Sequence, residues 1–338
     1  MKILVGILAI ILMILFLVFP NVQIKGAVNG LLICGDIIVP SLFPFTVFAL
    51  FLFNCGFAKY LEKILNKPAK VIFRMSGRNL SIFLISFIGG FPVGARIIEE
   101  EYNSGKIDKK LGENMLAYCV NSGPAFIIIG IGGAILNSKE LGILLFLSNF
   151  LASCFLAFFL GFQNRKILKS KDFEQAKEPL SDVFVISTAK ASTSIIGICG
   201  FVILFSTLVE VIKSLKIPAI IKTIVCSLLE ITNGTVSCDK NIYIIAFLLG
   251  FAGFCVHFQI LSVTKNLSPN YLKFLIFRIF HGMLTAIFLF IVLKIHPITI
   301  PTISGNIDFA GKISSISLPF AASLVLLCTV FLQSLQKN

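Results

Sequence analysis

The 338-residue chain is 57% hydrophobic, with only 13% charged residues and a mean hydropathy of +0.97, a composition that excludes a soluble globular domain. Its net charge of +13 would suit nucleic acid, but the Lys and Arg residues gather in short stretches beside apolar runs, where they set membrane orientation. An all-α polytopic membrane protein with roughly eight to ten hydrophobic segments remains, each spanning helix needing about 20 apolar residues.

In chain order, Ile3 to Phe19 has the length of a signal peptide, yet no small-x-small cleavage site follows Phe19-Pro20-Asn21, so it reads as a retained helix. Val22 to Ile38 mixes Lys25, Asn29 and Asp36 with apolar residues and reads as an interfacial segment or one packed beneath the bundle, which sets residues 1–38 apart. Pro40 and Pro44 then open a span to about Ala58, starting a first repeat over residues 39–163. A loop follows with Lys59, Lys63, Lys67, Lys70, Arg74 and Arg78 against Glu62 alone, and belongs in the cytoplasm.

Leu80 to Ile98 is broken near its centre by Gly89-Gly90-Phe91-Pro92-Val93-Gly94, and Asn114 to Leu136 by Asn121-Ser122-Gly123-Pro124. Irregular backbone at membrane depth survives only where protein or a water-filled cavity covers it, the profile of a transporter site. Leu141 to Phe162 is uninterrupted and leads to a second basic stretch at Arg165, Lys166, Lys169 and Lys171, within a linker over residues 164–190. Both basic stretches share a side only if one of the three intervening segments enters and returns, which makes 80–98 a re-entrant hairpin.

The second half offers spans near Ala191 to Ile212, Asn241 to Thr264, Leu272 to Leu293 and Ile313 to Leu332, with a shorter apolar piece from Ile217 to Ile231. A shift of 160 residues lays Ser41 to Phe48 on Phe201 to Leu208, Gly90-Phe91 on Gly250-Phe251 and Asn121-Ser122 on His281-Gly282. This predicts an inverted repeat, its second copy over 191–294 with a hairpin at 241–264 tipped by Gly250 to Gly253, ahead of a loop and C-terminal helix over 295–338.

A hairpin tip aims helix N-termini, with their free N–H groups, at the membrane midplane, which suits an anion. Arg96 follows the first break and there serves either as a bidentate fork for a carboxylate or phosphate, or as an orientation-setting side chain reaching for the head groups near Glu99 to Glu101. Candidate substrate contacts are Gly90, Phe91, Pro92, Gly94, Arg96, Asn121, Ser122 and Gly123, joined by Arg278 and His281, three apart on one helix face. His257 and Gln259 are candidates for proton or substrate handling, while Glu210 beside Lys213 reads as an interfacial ion pair and Asn233-Gly234 as a turn.

The nine Cys stand singly without C-x-x-C spacing, so neither a disulfide framework nor a metal site is expected, and no cofactor. With no H-E-x-x-H, Walker A, G-x-S-x-G or paired intramembrane Asp, no enzyme is expected either.

Ser41-Leu42-Phe43-Pro44-Phe45, Gly90 to Ala95 and Asn121 to Pro124, in that order, resemble the YlbJ-type sporulation integral membrane proteins, within the wider group carrying the nucleoside-recognition or Gate domain. The resemblance implies a protein of the outer forespore membrane that moves dipicolinic acid, a planar aromatic dianion whose carboxylates Arg96 and Arg278 would bind while Phe91 stacks on its ring. Alternatives are a nucleoside or nucleobase transporter, and a non-transporting scaffold for spore-envelope assembly. Expected partners are the organic anion, the bilayer, and further copies of the chain or other sporulation membrane proteins.

Overall fold

The computed structural model describes residues 2–163, 179–237 and 241–298. Every regular element among them is helical, as hydrocarbon demands of backbone that cannot turn to water. Among the described residues, five stretches are long and apolar enough to cross a bilayer: Pro20–Asn54, Lys139–Phe162, Leu180–Ser214, Ile242–Val263 and Tyr271–Ile295. The chain is an integral membrane protein.

After α1 (Lys2–Val18), α2 (Pro20–Ile33) and α3 (Val39–Asn54) form one helix through a wide π turn, Cys34–Ile38. Proline lacks an N–H and crowds the preceding turn, and the wider winding ahead of Pro40 accommodates both. Val22 to Ile38 is therefore part of a 35-residue helix long and apolar enough to cross a bilayer, and neither the expected interfacial segment nor one packed beneath the bundle. Gly26 and Gly30 draw it in, because they lie directly on the backbone of the helix Leu180–Ser214.

The expected basic loop is itself largely a helix, α4 (Phe57–Val71). Exposed Lys63, Lys67 and Lys70 accompany exposed Phe57, Tyr60, Ile64 and Val71, the composition of a helix lying in the interface plane. Next, α5 (Gly77–Gly89) and α6 (Phe91–Asn103) fold back on each other about Gly90. Their distant ends are held together by Arg78 and Glu101. Then α7 (Lys109–Cys119) runs to an unwound stretch at Val120 to Gly123, beyond which the π-wound segment Ala125–Ile135 leads to α8 (Lys139–Gln163).

The long α9 (Leu180–Ser214) opens the second half and begins earlier than the expected Ala191. It is followed by α10 (Ala219–Leu229) and α11 (Ile231–Ser237), which pack on each other about Glu230, with Gly234 against Ser227. A broken helix, α12 (Ile242–Phe251) and α13 (Gly253–Val263), and a straight one, α14 (Tyr271–Ile295), complete the described chain. The basic residues Arg165 to Lys171 and the span at Ile313 to Leu332 lie outside the described residues.

Contacts at the helix ends define two faces of the bundle. At the first, Lys190 meets Glu100, Lys273 meets Glu113, Arg74 lies over Phe162, and the backbone of Asn266 and Leu267 binds Glu99. At the second, His296 meets Glu140, Lys25 meets Glu210, and Tyr243 lies against Phe290. The α5–α6 hairpin therefore enters from the first face and α10–α11 from the second, and each is followed by a broken helix that crosses.

This corrects the expected position of the second hairpin. Gly250 to Gly253 is no hairpin tip: α12 starts beside Phe290 at the second face, and α13 ends beside Glu99 at the first. The left-handed pair Ala252 and Gly253 only breaks the helix. The 160-residue shift holds for the opening helices, Pro20–Asn54 and Leu180–Ser214, each of 35 residues. It has shrunk to 142 at the hairpins, from Gly77 to Ala219, because α4 has no counterpart in the second half, and to 132 by the last pair, from Lys139 to Tyr271, because α11 is shorter than α6.

Candidate functional site

In each half the hairpin tip abuts the break of the following helix. Gly90 sits at φ 78° and ψ −170°, a conformation essentially restricted to glycine, and its backbone lies against Gly123. Gly253 likewise lies against Leu228 and Ile231 of the second hairpin. The broken helices thus expose their C-terminal carbonyls at the centre of the protein, where these need donors.

Arg278 of α14 supplies them. Its Nη1 donates to Val120 O at 2.7 Å, its Nε to Phe251 O at 3.4 Å and its Nη2 to Gly250 O. One fully buried guanidinium thereby caps the first arms of both broken helices, and it does not line the cavity where Arg96 lies. One turn on, His281 Nε2 lies 2.9 Å from Ser153 Oγ and 3.3 Å from Asn149 O, and Ser153 Oγ donates to Asn121 Oδ1 at 2.6 Å. Asn121 Nδ2 in turn donates to Tyr118 O. This network ties the first break to α8 and α14, and it includes Asn149 and Ser153, which the sequence reading passed over because polar residues inside an unbroken span carry no local signal.

Around it, several buried atoms have no hydrogen-bond partner among the described residues: Ser122 Oγ, both side-chain polar atoms of Asn149, and His281 Nδ1. Each such group costs about 1–3 kcal/mol, so the centre of the bundle is built to receive water or a polar group. His257 is a strut, its Nε2 2.9 Å from Phe251 O at the second break and its ring among Phe251, Phe254, Tyr271 and Phe274.

A cavity of about 350 Å³ lies between α6, α9 and α13. It runs from Glu100 and Asn103 at the first face inward to Pro92, and Arg96, Thr193, Ser194 and Gln259 contribute its polar lining. Arg96 Nε donates to Ser194 Oγ at 3.0 Å, and among the described residues its two Nη groups have no hydrogen-bond partner. Of the nearby acids, Glu100 pairs with Lys190 Nζ at 2.8 Å while its charge also acts on Arg96, and Glu99 accepts from the N–H groups of Asn266 and Leu267. Of the residues proposed from sequence, the cavity gathers Pro92, Arg96 and Gln259. Gly90, Gly94 and Gly123 serve close backbone packing, and Phe91 belongs to the apolar core.

Two hairpins that enter from opposite faces, two broken helices and a cavity lined by Arg96 are thus the features that the described residues assemble. The chain is similar to the sporulation integral membrane protein YlbJ of Bacillus subtilis (strain 168). The two are 21% identical over 320 residues, which cover 81% of this chain and 78% of that protein. This agrees with the YlbJ-type resemblance read from the three motifs. No family model and no solved structure matches the chain.

Proposed function

We propose that the protein is a transporter or facilitator for a small organic anion, dipicolinate, acting during spore formation in the outer forespore membrane. The observation that carries this reading is Arg96: a guanidinium fixed at Nε by Ser194, with its Nη pair unengaged among the described residues, in a cavity between a hairpin and two spanning helices. Such a fork takes a carboxylate in two-point fashion. The cavity is of the size that small-ligand sites commonly have, ~300–1,000 Å³, and the amide of Gln259 and the hydroxyl of Thr193 offer polar contacts for a ring nitrogen or second carboxylate. The similarity to a sporulation protein supports the setting.

Calorimetry on the purified protein tests the reading. Dipicolinate is expected to bind, uridine to give no heat, and Arg96→Ala to abolish binding while the protein remains monodisperse. Spores carrying that variant are expected to be depleted of dipicolinate. Binding of uridine in place of dipicolinate would turn the assignment to nucleosides, and normal dipicolinate content in Arg96→Ala spores would end it.

A further inference from the structure

Four carboxylates are buried among the described residues: Glu99, Glu101, Glu210 and Glu230. Glu101 is paired with Arg78, and Glu210 with Lys25 and Lys213. Glu99 sits at the first face in the cavity that Arg96 lines. Glu230 alone occupies a hairpin tip inside the bundle, 4% exposed, with no cation within ion-pair distance among the described residues. Its charge acts on the thiols of Cys34 and Cys255.

Three N–H groups donate to its two oxygens: Thr232 N to Oε1 at 3.1 Å, and Asn233 N and Nδ2 to Oε2 at 2.7 and 2.9 Å. Glu230 thereby caps the first turn of α11, whose amide dipoles offset part of its charge, but a net negative charge remains in apolar surroundings, and such a charge at membrane depth is costly and marks function. A second, independent observation lies beside it. Among the described residues the hydroxyl of Thr232, 1% exposed, has no hydrogen-bond partner, although its own backbone N–H donates to Glu230. Ser206 Oγ of α9 accepts from Asn233 Nδ2 at 3.2 Å, the same amide nitrogen that donates to Glu230.

We infer that Glu230, Thr232 and Ser206 form a sodium site at the tip of the second hairpin. The donors are all hard oxygens, which suit an alkali or alkaline-earth ion. One carboxylate in apolar surroundings is neutralised by a single positive charge, which selects the monovalent ion. The site lies where α10 and α11 meet the break between α12 and α13, so an ion there fixes the second hairpin against the broken helix. If the anion reading holds, the ion is the charge that accompanies the anion.

The test uses the full chain in lipid nanodiscs with no organic anion present, so that its outcome is separate from that of the anion reading. Binding of ²²Na⁺ is measured at constant ionic strength in choline chloride. Saturable binding displaced by unlabelled Na⁺ is expected, with Glu230→Gln and the nearly isosteric Thr232→Val each lowering affinity at least tenfold. Gel filtration establishes that the variants fold, and Thr232→Val alone decides the matter if Glu230→Gln does not. Absence of saturable binding to the native chain overturns the inference, as does undiminished binding in the folded variants.

Discussion

Arg78 and Glu101 close the open end of the first hairpin by a two-point ion pair, Nε to Oε2 at 2.5 Å and a second Arg78 nitrogen to Oε1 at 2.8 Å, with both side chains buried. The contact turns two short helices into one rigid unit. Removing one member strands the other charge, at a cost of roughly 3–5 kcal/mol, whereas replacing both by apolar residues of similar size can be nearly neutral. Glu101→Leu is therefore expected to lower the thermal midpoint in detergent sharply, and Arg78→Met with Glu101→Leu to recover much of the loss. A double variant as unstable as the single one would show that the pair does not act as a unit.

At the hairpin's other end, Gly90→Ala adds a Cβ where φ is 78° and ψ −170° and where Leu42 and Gly123 are already close. Strain of about 1–3 kcal/mol is expected, read as a drop in thermal midpoint. Gly56→Ala is the control. It also has positive φ, but nothing lies within 4 Å of its added Cβ, so it should cost less. Equal losses would mean that the turn between α5 and α6 tolerates a side chain.

Arg278 and Arg96 are expected to behave differently when replaced. Arg278→Gln withdraws donors from carbonyls of both broken helices and should lower stability and yield before any assay of binding. Arg96→Gln removes one hydrogen bond to Ser194, so the protein should keep its thermal midpoint and lose dipicolinate binding at least tenfold. A stable Arg278→Gln protein that has lost only binding would place Arg278 in the substrate path instead.

The first hairpin was legible because its turn is written in glycine and proline, with Gly90 at positive φ and Pro92 in the first turn of α6. The second was missed because its tip has no glycine. Asn233-Gly234 reads as a turn but lies inside α11, and the chain instead reverses at Glu230, whose carboxylate accepts from the N–H groups of Thr232 and Asn233. The repeat was visible in the opening helices and lost its register at α4, whose lysines read as loop charges until the exposed apolar residues beside them show a helix. Arg278 looked like a ligand contact because a charge inside a span defaults to function. Its carbonyl partners come from Val120 and from Gly250 with Phe251, far apart in sequence, which no local pattern reveals.

The opposite entry of the hairpins has a direct consequence for labelling. Asn66, in the last turns of α4, is exposed near the first face, and Ile220, at the start of α10, is exposed near the second. In a background free of the native cysteines, Asn66→Cys and Ile220→Cys should react with a membrane-impermeant maleimide from opposite sides of sealed vesicles. The basic stretch around Asn66 predicts that Asn66→Cys reacts from the cytoplasmic side. Labelling of both from one side would require α9 to enter and leave by the same face, although Lys190 at one end meets Glu100 and Glu210 near the other meets Lys25. The inverted arrangement would then fall.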